Sequence, residues 1–549
     1  MARTPVAETP VATDTDIVLA HVEAVRERTR VPMDTDGFTP DWKDRPSPHT
    51  RHPGAPRTAL PPARLSARRA GAEAAGFTAE LLAETLHLAA GPLARRWQID
   101  WNLDDVGRAR PHTAAWSRGT PSGGANHPWE LYWLPAPGLP LAPGLLHYES
   151  GSHSLARLAT GDLTAAVRAA LAPDHGADHV PHDGADDDAG TDHDASGGYL
   201  VCTVRPWKTA FKYGAFSYHV ATHDIGALLG TWTALSRAAG IPGAPRFWFD
   251  EPALNGLMGL DPAEESVHAV LPLPWWRPAP ATRGPAPRAP YGGGPARPPP
   301  AEASRRTRSF TAADAVRRAT VRTVPDRAPE PPPPLAAGRA APAGLALPAA
   351  RPSAADPRAV LSRRRSANGR LDPRAALTAA QLADVLAAAS AEPAPGAGSP
   401  LTRLLVDVRR VEGLAPGPYH YDPVRHALVP TTPPDAPRPT PLRQGDYAMR
   451  NYAVAHAAAF LAFAWRPAPT LAALGPRAYR AAHAEAGARG QLLHLAAEAA
   501  GLGSGMALGM DARAVDRALA GEDPELRTTL CLFLGPSLPG AAFLDDRLC

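Results

Sequence analysis

The stretch FKYGAFSYHVATHDIG (residues 211–226) has a counterpart later in the chain, ALGPRAYRAAHAEAG (473–487). Gly214, Tyr218 and Gly226 fall opposite Gly475, Tyr479 and Gly487, and Asp224 falls opposite Glu485. Each stretch runs into an amphipathic helical pattern, ATHDIGALLGTWTALSRAAG in one case and HAEAGARGQLLHLAAEAAGLG in the other. Glycines lower helix propensity, so their presence points to close helix packing. Two further pairs repeat in the same order. FTAELLAETLHLAAG (77–91) resembles LTAAQLADVLAAAS (377–390), with Thr78 and Thr378 placed to cap a helix and Leu82/Leu86 matching Leu382/Leu386 on one helix face. LAPGLLHYESGSHSL (141–155) resembles LAPGPYHYDPVRHAL (414–428), each reading as strand, turn, strand.

This order predicts two related domains in tandem, about 56–274 and 356–549, after an N-terminal segment 1–55. The intervening 275–355 is rich in Pro, Ala and Arg and is expected to be an extended or disordered linker. Residues 173–198, PDHGADHVPHDGADDDAGTDHDASGG, read as a polar insert. Its His and Asp residues are metal-binding types, but no helix or strand pattern fixes them, so a solvated loop is expected.

The totals exclude several classes. The formal net charge of +3 over 549 residues gives no strong attraction to nucleic acid or membrane. Cys202, Cys531 and Cys549 form neither a metal spacing nor a disulfide framework, which fits a reducing compartment. The start lacks an apolar signal core and no run is apolar enough to span a bilayer, so the chain is expected to be soluble and cytoplasmic.

Lysine occurs only at Lys43, Lys208 and Lys212; the other basic residues among the 57 are arginine. A partly buried lysine can act as a base, whereas arginine cannot deprotonate. Lys212, beside Tyr213, is therefore a candidate for chemistry, against the alternative of a retained surface charge. Lys208 is the internal control, and Lys208→Arg is expected to be mild. In SRGTPSGGANHPWELYW (117–133), Pro121-Ser122-Gly123-Gly124 is a turn whose bare backbone can approach a flat ligand, or simply an ordinary Gly-rich turn before a strand. In LSRRRSANGR (361–370), the Arg run and Ser366 form either a phosphate clamp or a solvated basic run. The glycines of AAGLGSGMALGMD (499–511) can let backbone N–H groups face a cofactor.

Taken in order, these motifs resemble the nitroreductase-fold flavoenzymes, in particular the SagB-type azoline dehydrogenases that make thiazoles and oxazoles in ribosomal peptides such as thiopeptides. The motifs are Pro-Ser-Gly-Gly with Asn126 and Trp129, the Pro-Gly-x-x-His-Tyr hairpin, Arg-Arg-Ser, Gly-Leu-Gly and Lys-Tyr-Gly. The resemblance implies an α+β nitroreductase-like fold and FMN bound between two subunits, here two domains of one chain forming an intramolecular pseudodimer. By resemblance, Arg364, Arg365 and Ser366 hold the ribityl phosphate, and the backbone at Leu508 and Gly509 faces the flavin. Pro121, Ser122, Gly123, Gly124 and Asn126 approach from the other domain. The second domain lacks Pro-Ser-Gly-Gly and the Lys-Tyr pair, so one composite FMN site is expected. Where the family usually has another basic residue two positions after Arg-Arg-Ser, Asn368 stands here, with Arg370 nearby.

The activity implied is oxidation of a peptide thiazoline or oxazoline, with Lys212 as base and Tyr213 as its hydrogen-bond partner. The substrate would be a modified precursor peptide, with a cyclodehydratase as partner and no metal. The rivals are an NAD(P)H-fed reductase of the same fold and a non-catalytic scaffold subunit.

Overall fold

The structure is a computed structural model. It describes residues 12–34, 37–63, 76–100, 110–171, 195–241, 243–276, 299–323, 344–351, 353–389, 400–433, 435, 437, 439–449, 451–521, 523–538 and 544–547.

Two helix pairs organise the molecule. In each half, an eight-residue helix starts with a proline in its first turn, Pro206–Tyr213 and Pro467–Leu474. Proline is tolerated there because the first N–H has no helical partner anyway. Both stop at a glycine of positive φ, Gly214 at 52° and Gly475 at 75°, a conformation that a side chain would strain. A 22-residue helix follows in each case, Ser217–Ala238 and Ala478–Ala499. The expected caps form as well. Thr78 accepts from the Leu81 N–H, and Thr378 makes a reciprocal capping box with Gln381.

Each long helix packs near an antiparallel sheet. The first sheet runs, edge to edge, Arg57–Ala59, Ser154–Thr160, Gly144–Glu149, Trp129–Leu134, Tyr199–Val204, Ser266–Pro272. The second runs Leu345–Ala346, Ala427–Pro430, Gly417–Asp422, Arg403–Val408, Ala459–Trp465, Arg527–Pro536, Leu502–Ala507. The first six strands of the second sheet follow the connection order of the first sheet. Trp129–Leu134 and Ala459–Trp465 are buried along their whole length, as strands covered on both faces are. In a third sheet the strand Leu544–Arg547 pairs with Ala94–Asp100, so the end of the chain returns to the first half.

The two long helices cross through glycine. A Cβ at Gly226 would collide with the Ala484 carbonyl, and one at Gly487 with the His223 carbonyl. The contact is reciprocal, as in an interface with twofold character. Gly226→Ala is therefore expected to destabilise the chain by about 1–3 kcal/mol through overpacking. Urea denaturation followed by far-UV circular dichroism measures it; an unchanged midpoint would show that the helices separate at no cost.

The 275–355 segment departs from the expectation of an extended linker. Within it, Thr311–Ala319 is a helix. Phe310, Ala313, Val316 and Ala319 are buried in one cluster with Val18, Val22, Tyr218 and Tyr479. Apolar residues at helical spacing won over the Pro-rich surroundings because both halves offer them a surface. The N-terminal segment is also integrated: the helix Asp14–Glu27 reaches the second half, where Arg26 pairs with Asp516 at 2.8 Å. Most of the polar insert, residues 172–194, lies outside the described residues. Among the described residues no helix is long and apolar enough to cross a membrane, and Cys202 and Cys531 are buried free thiols.

Candidate functional site

The Pro-Ser-Gly-Gly turn lies directly on the helix pair that carries Lys212 and Tyr213. Ser122 Oγ donates to Asp224 Oδ2 at 2.6 Å, the Gly123 N–H donates to Oδ1 at 2.8 Å, and the His127 N–H donates to Ser122 Oγ at 2.8 Å. Gly124 has φ 63°, and a Cβ there would sit 2.6 Å from Lys212 Nζ and 2.8 Å from the Tyr213 hydroxyl. Only glycine satisfies both the backbone and the lysine's approach. Ala125 (φ 56°) and His127 (φ 47°) also lie in the left-handed region. Such strain persists where surrounding structure holds it, and it clusters at functional sites.

Lys212 is partly buried, with Nζ 5.2 Å from the centre of the Tyr213 ring. Among the described residues no carboxylate pairs with it. Burial lowers its pKa from the ordinary 10.5, toward the range where an amine can accept a proton. Burial, with the Asp224 charge adding to it, raises the Tyr213 pKa, so its hydroxyl stays a donor.

Asp224 was not a predicted site residue. Burial raises its pKa to about 7, against the lowering effect of the Ser122 and Gly123 hydrogen bonds. Its counterpart Glu485 does the same job in the second half, accepting the N–H groups of Leu401 and Thr402 at 2.9 Å each, but there Arg489 stands 3.2 Å away as a cation partner. The sequence signal was an acid at matching places in two apolar helices.

A pH prediction follows. The folded pKa of Asp224 is raised, so its contribution to stability is fully present below the ordinary 3.8 and is lost as pH rises through about 7. Asp224→Asn removes that titration. Relative to the variant, the wild-type melting temperature is expected to fall between those limits; parallel profiles would mean Asp224 is ionised throughout.

The second half brings its pieces to the same region with different partners from those expected. Arg364 is buried; its Nε donates to the Gly119 carbonyl at 3.0 Å and Nη2 to the Arg118 carbonyl at 3.3 Å, while Nη1 lies 2.6 Å from His494 Nε2. It anchors the root of the Pro-Ser-Gly-Gly turn across the two halves. Arg365 is exposed, and after burial its charge is the next cause that lowers the Arg370 pKa. Ser366 follows, partly buried.

Leu508 and Gly509 lie just beyond the strand Leu502–Ala507. Arg28 donates to the Leu508 carbonyl, and to that of Met510 at 3.0 Å, and its guanidinium sits 4.5 Å from the centre of the Phe216 ring. A Cβ on Gly509 would lie 3.1 Å from the Tyr447 ring, and Tyr213 is near enough to raise the Tyr447 pKa further, after burial, Tyr452 and Cys531. Arg28 therefore links the Leu508–Gly509 turn to Phe216, three residues after Tyr213. Neither Arg28 nor Tyr447 was singled out in the sequence; the carbonyls that Arg28 holds lie some 480 residues away.

The residues present fit an anionic, flat, acceptor-rich group such as FMN. Asn126 Nδ2 is buried with no hydrogen-bond partner among the described residues, an unmet donor. Gly124 leaves its backbone exposed beside Lys212, which pairs with no carboxylate among the described residues, and Arg365 and Arg370 are of the residue type that holds a phosphate.

Comparison with known proteins agrees with this class. Residues 361–535 match the nitroreductase family, whose members are flavin-dependent oxidoreductases that typically bind FMN. A structure from Anabaena variabilis, described as a nitroreductase, has TM-score 0.68 at 19% identity, covering 94% of this chain and 99% of that one. The chain thus has a nitroreductase-like mixed α/β fold. A second nitroreductase-described structure, from Ralstonia eutropha, has TM-score 0.26 at 20% identity over 39% of this chain and 98% of that one. The E. coli microcin synthetase McbBCD complex with truncated pro-MccB17 bound has TM-score 0.24 at 17% identity over 49% of this chain and 84% of that one. Overlaps that low bear on neither fold nor function. No curated protein matches the sequence.

Proposed function

We propose that the chain is an FMN-dependent oxidase of peptide thiazolines or oxazolines, with one composite site made by two related halves packed as a pseudodimer. The observation that carries this reading is the close approach of Gly124 to Lys212 and Tyr213, which sets a partly buried lysine, paired with no carboxylate among the described residues, beside a turn suited to a flat ligand. The matching strand orders and the reciprocal Gly226–Ala484 and Gly487–His223 contacts support the related halves.

In this reading Lys212, as the neutral amine, takes the proton from a ring carbon of the azoline. Tyr213 holds the proton on its own hydroxyl and orients the lysine or the substrate by donating it. Arg365, Arg370 and Ser366 would hold the FMN phosphate. Asn126 Nδ2 would donate to the ring system, and the Asp224–Ser122–Gly123 bonds would keep the turn in place. FMN, where bound, would supply the two-electron acceptor for the hydride lost from the neighbouring ring carbon, with dioxygen as the final oxidant. The peptide would come from a partner cyclodehydratase in the cytoplasm.

The test is turnover. The full chain loaded with FMN should remove two hydrogens from an azoline peptide in air, read by mass spectrometry, and should release about one FMN per chain on denaturation. NAD(P)H oxidation without peptide, and no azole formed, would assign it to the reductases instead. Protein that takes up no flavin would make it a scaffold. Arg365→Ala is a cleaner phosphate test than Arg364→Ala, because Arg364 also holds the two halves together.

A further inference from the structure

The crossing of the two long helices encloses a second cluster, away from the Lys-Tyr pair. His219 and His223 lie one turn apart on Ser217–Ala238, and His483 faces them from Ala478–Ala499. All three are at most 3% exposed. Their ring centres are 4.5, 4.9 and 4.8 Å apart, and one nitrogen from each lies within 4.8 Å of the others.

Their hydrogen bonds fix the tautomers. His223 Nδ1 is 2.7 Å from the His219 carbonyl, and His483 Nδ1 is 2.6 Å from the Tyr479 carbonyl. A carbonyl only accepts, so Nδ1 carries the proton in both rings and Nε2 keeps its lone pair. His219 Nε2 faces the Thr529 carbonyl at 3.2 Å, which leaves its lone pair on Nδ1, 3.1 Å from the Tyr479 hydroxyl. Metal-bound histidines are oriented in this way, by donating the other ring N–H to a carbonyl.

We propose that His219, His223 and His483 bind one divalent transition-metal ion of the zinc type, clipping the two halves together at their central crossing. Three imidazoles suit zinc, copper, nickel or cobalt rather than magnesium or calcium. A metal–nitrogen distance of about 2.0–2.1 Å needs the three nitrogens about 3.3 Å apart, so the rings close inward by an ångström or so. The Thr529 hydroxyl, 2.8 Å from His223 Nε2, turns away to release that lone pair. The fourth position is met by water or by the Tyr479 hydroxyl. A small cavity reaches the cluster, lined in part by Val22, Val25, His219 and His483. Arg26 and Arg527 also line it, each paired with a carboxylate, Asp516 and Glu23, at 2.8 Å, while the Arg28 charge acts on His219 from beyond the Phe216 ring.

The sequence reading looked for ligands only in the 173–198 insert. His483 follows His219 by 264 residues and His223 by 260.

The experiment equilibrates the full purified chain with Co²⁺, removes free metal by gel filtration, and measures retained metal and visible ligand-field absorption. The expected result is about one Co²⁺ per chain with the intense bands of low coordination. His223→Gln and His483→Gln should each cut retention at least tenfold, while His420→Gln, on the second sheet, should not. Because the Gln variants face a buried crossing, anomalous diffraction from metal-soaked wild-type crystals gives a readout that needs no variant. A peak between the three rings supports the site. No retained metal, retention unchanged in both Gln variants, or a peak elsewhere overturns it.

Discussion

Lys212→Arg is expected to leave the fold and the FMN content intact and to lower azole formation by about 10²–10⁴-fold, the usual effect of removing a general base. The change keeps the positive charge, so binding of an anionic cofactor nearby should survive. Guanidinium cannot accept a proton near neutral pH. The site geometry sharpens the test. The neutral amine is the active form, and burial lowers its pKa from 10.5, so wild-type activity should rise with pH along a limb centred below that value. The arginine variant should lose the limb as well as the rate. Single-turnover kinetics with an azoline peptide, run across pH, measures both. A variant within tenfold of wild type, with the same pH profile, would show that Lys212 is only a positive neighbour.

Lys208→Ala should have the largest effect on stability. Lys208, expected to be the mild control in turnover, is buried and ion-paired. Lys208 is 4% exposed, with Nζ 2.5 Å from Glu130 Oε1. Thr50 Oγ1 donates to the same oxygen at 2.5 Å, and His147 Nε2 lies 3.0 Å from Glu130 Oε2. Burial pushes the Glu130 pKa up, but Lys208 and His147 outweigh it and hold it well below the ordinary carboxylate value. Removing the ammonium strands a buried carboxylate, and breaking such a pair typically costs about 3–5 kcal/mol. Lys208→Arg is not mild either, since a larger planar head must fit an enclosed site. Urea denaturation gives the number, and the double change Lys208→Met with Glu130→Gln should recover part of it. A loss below about 1 kcal/mol would place the pair among weak surface bridges.

The local signals in the sequence were legible because they act over a few residues. Thr78 and Thr378 cap helices, Gly214 and Gly475 stop them, and the 144–160 and 417–430 hairpins form where strand and turn residues alternate. The pairing of Pro-Ser-Gly-Gly with Lys-Tyr was legible only as a resemblance of motif order. Nothing within either motif announces that Gly124 lies against Lys212.

What tertiary structure alone decided are the partners contributed by distant segments. Arg364 looked like a phosphate clamp, yet its donors are turned to the Arg118 and Gly119 carbonyls of the other half. The helix Thr311–Ala319 formed inside a Pro-rich stretch because Val18, Tyr218 and Tyr479 supply a shared apolar surface. Lys208, Asp224 and the three histidines owe their character to burial, and burial depends on which segments close over a residue. Caps, turns and periodicity are energies of neighbouring residues and can be read in order along a chain. Desolvation and pairing are energies of residues brought together by folding, and here the deciding partners lie far off in sequence: Glu130 for Lys208, Ser122 for Asp224, and His483 for His219 and His223.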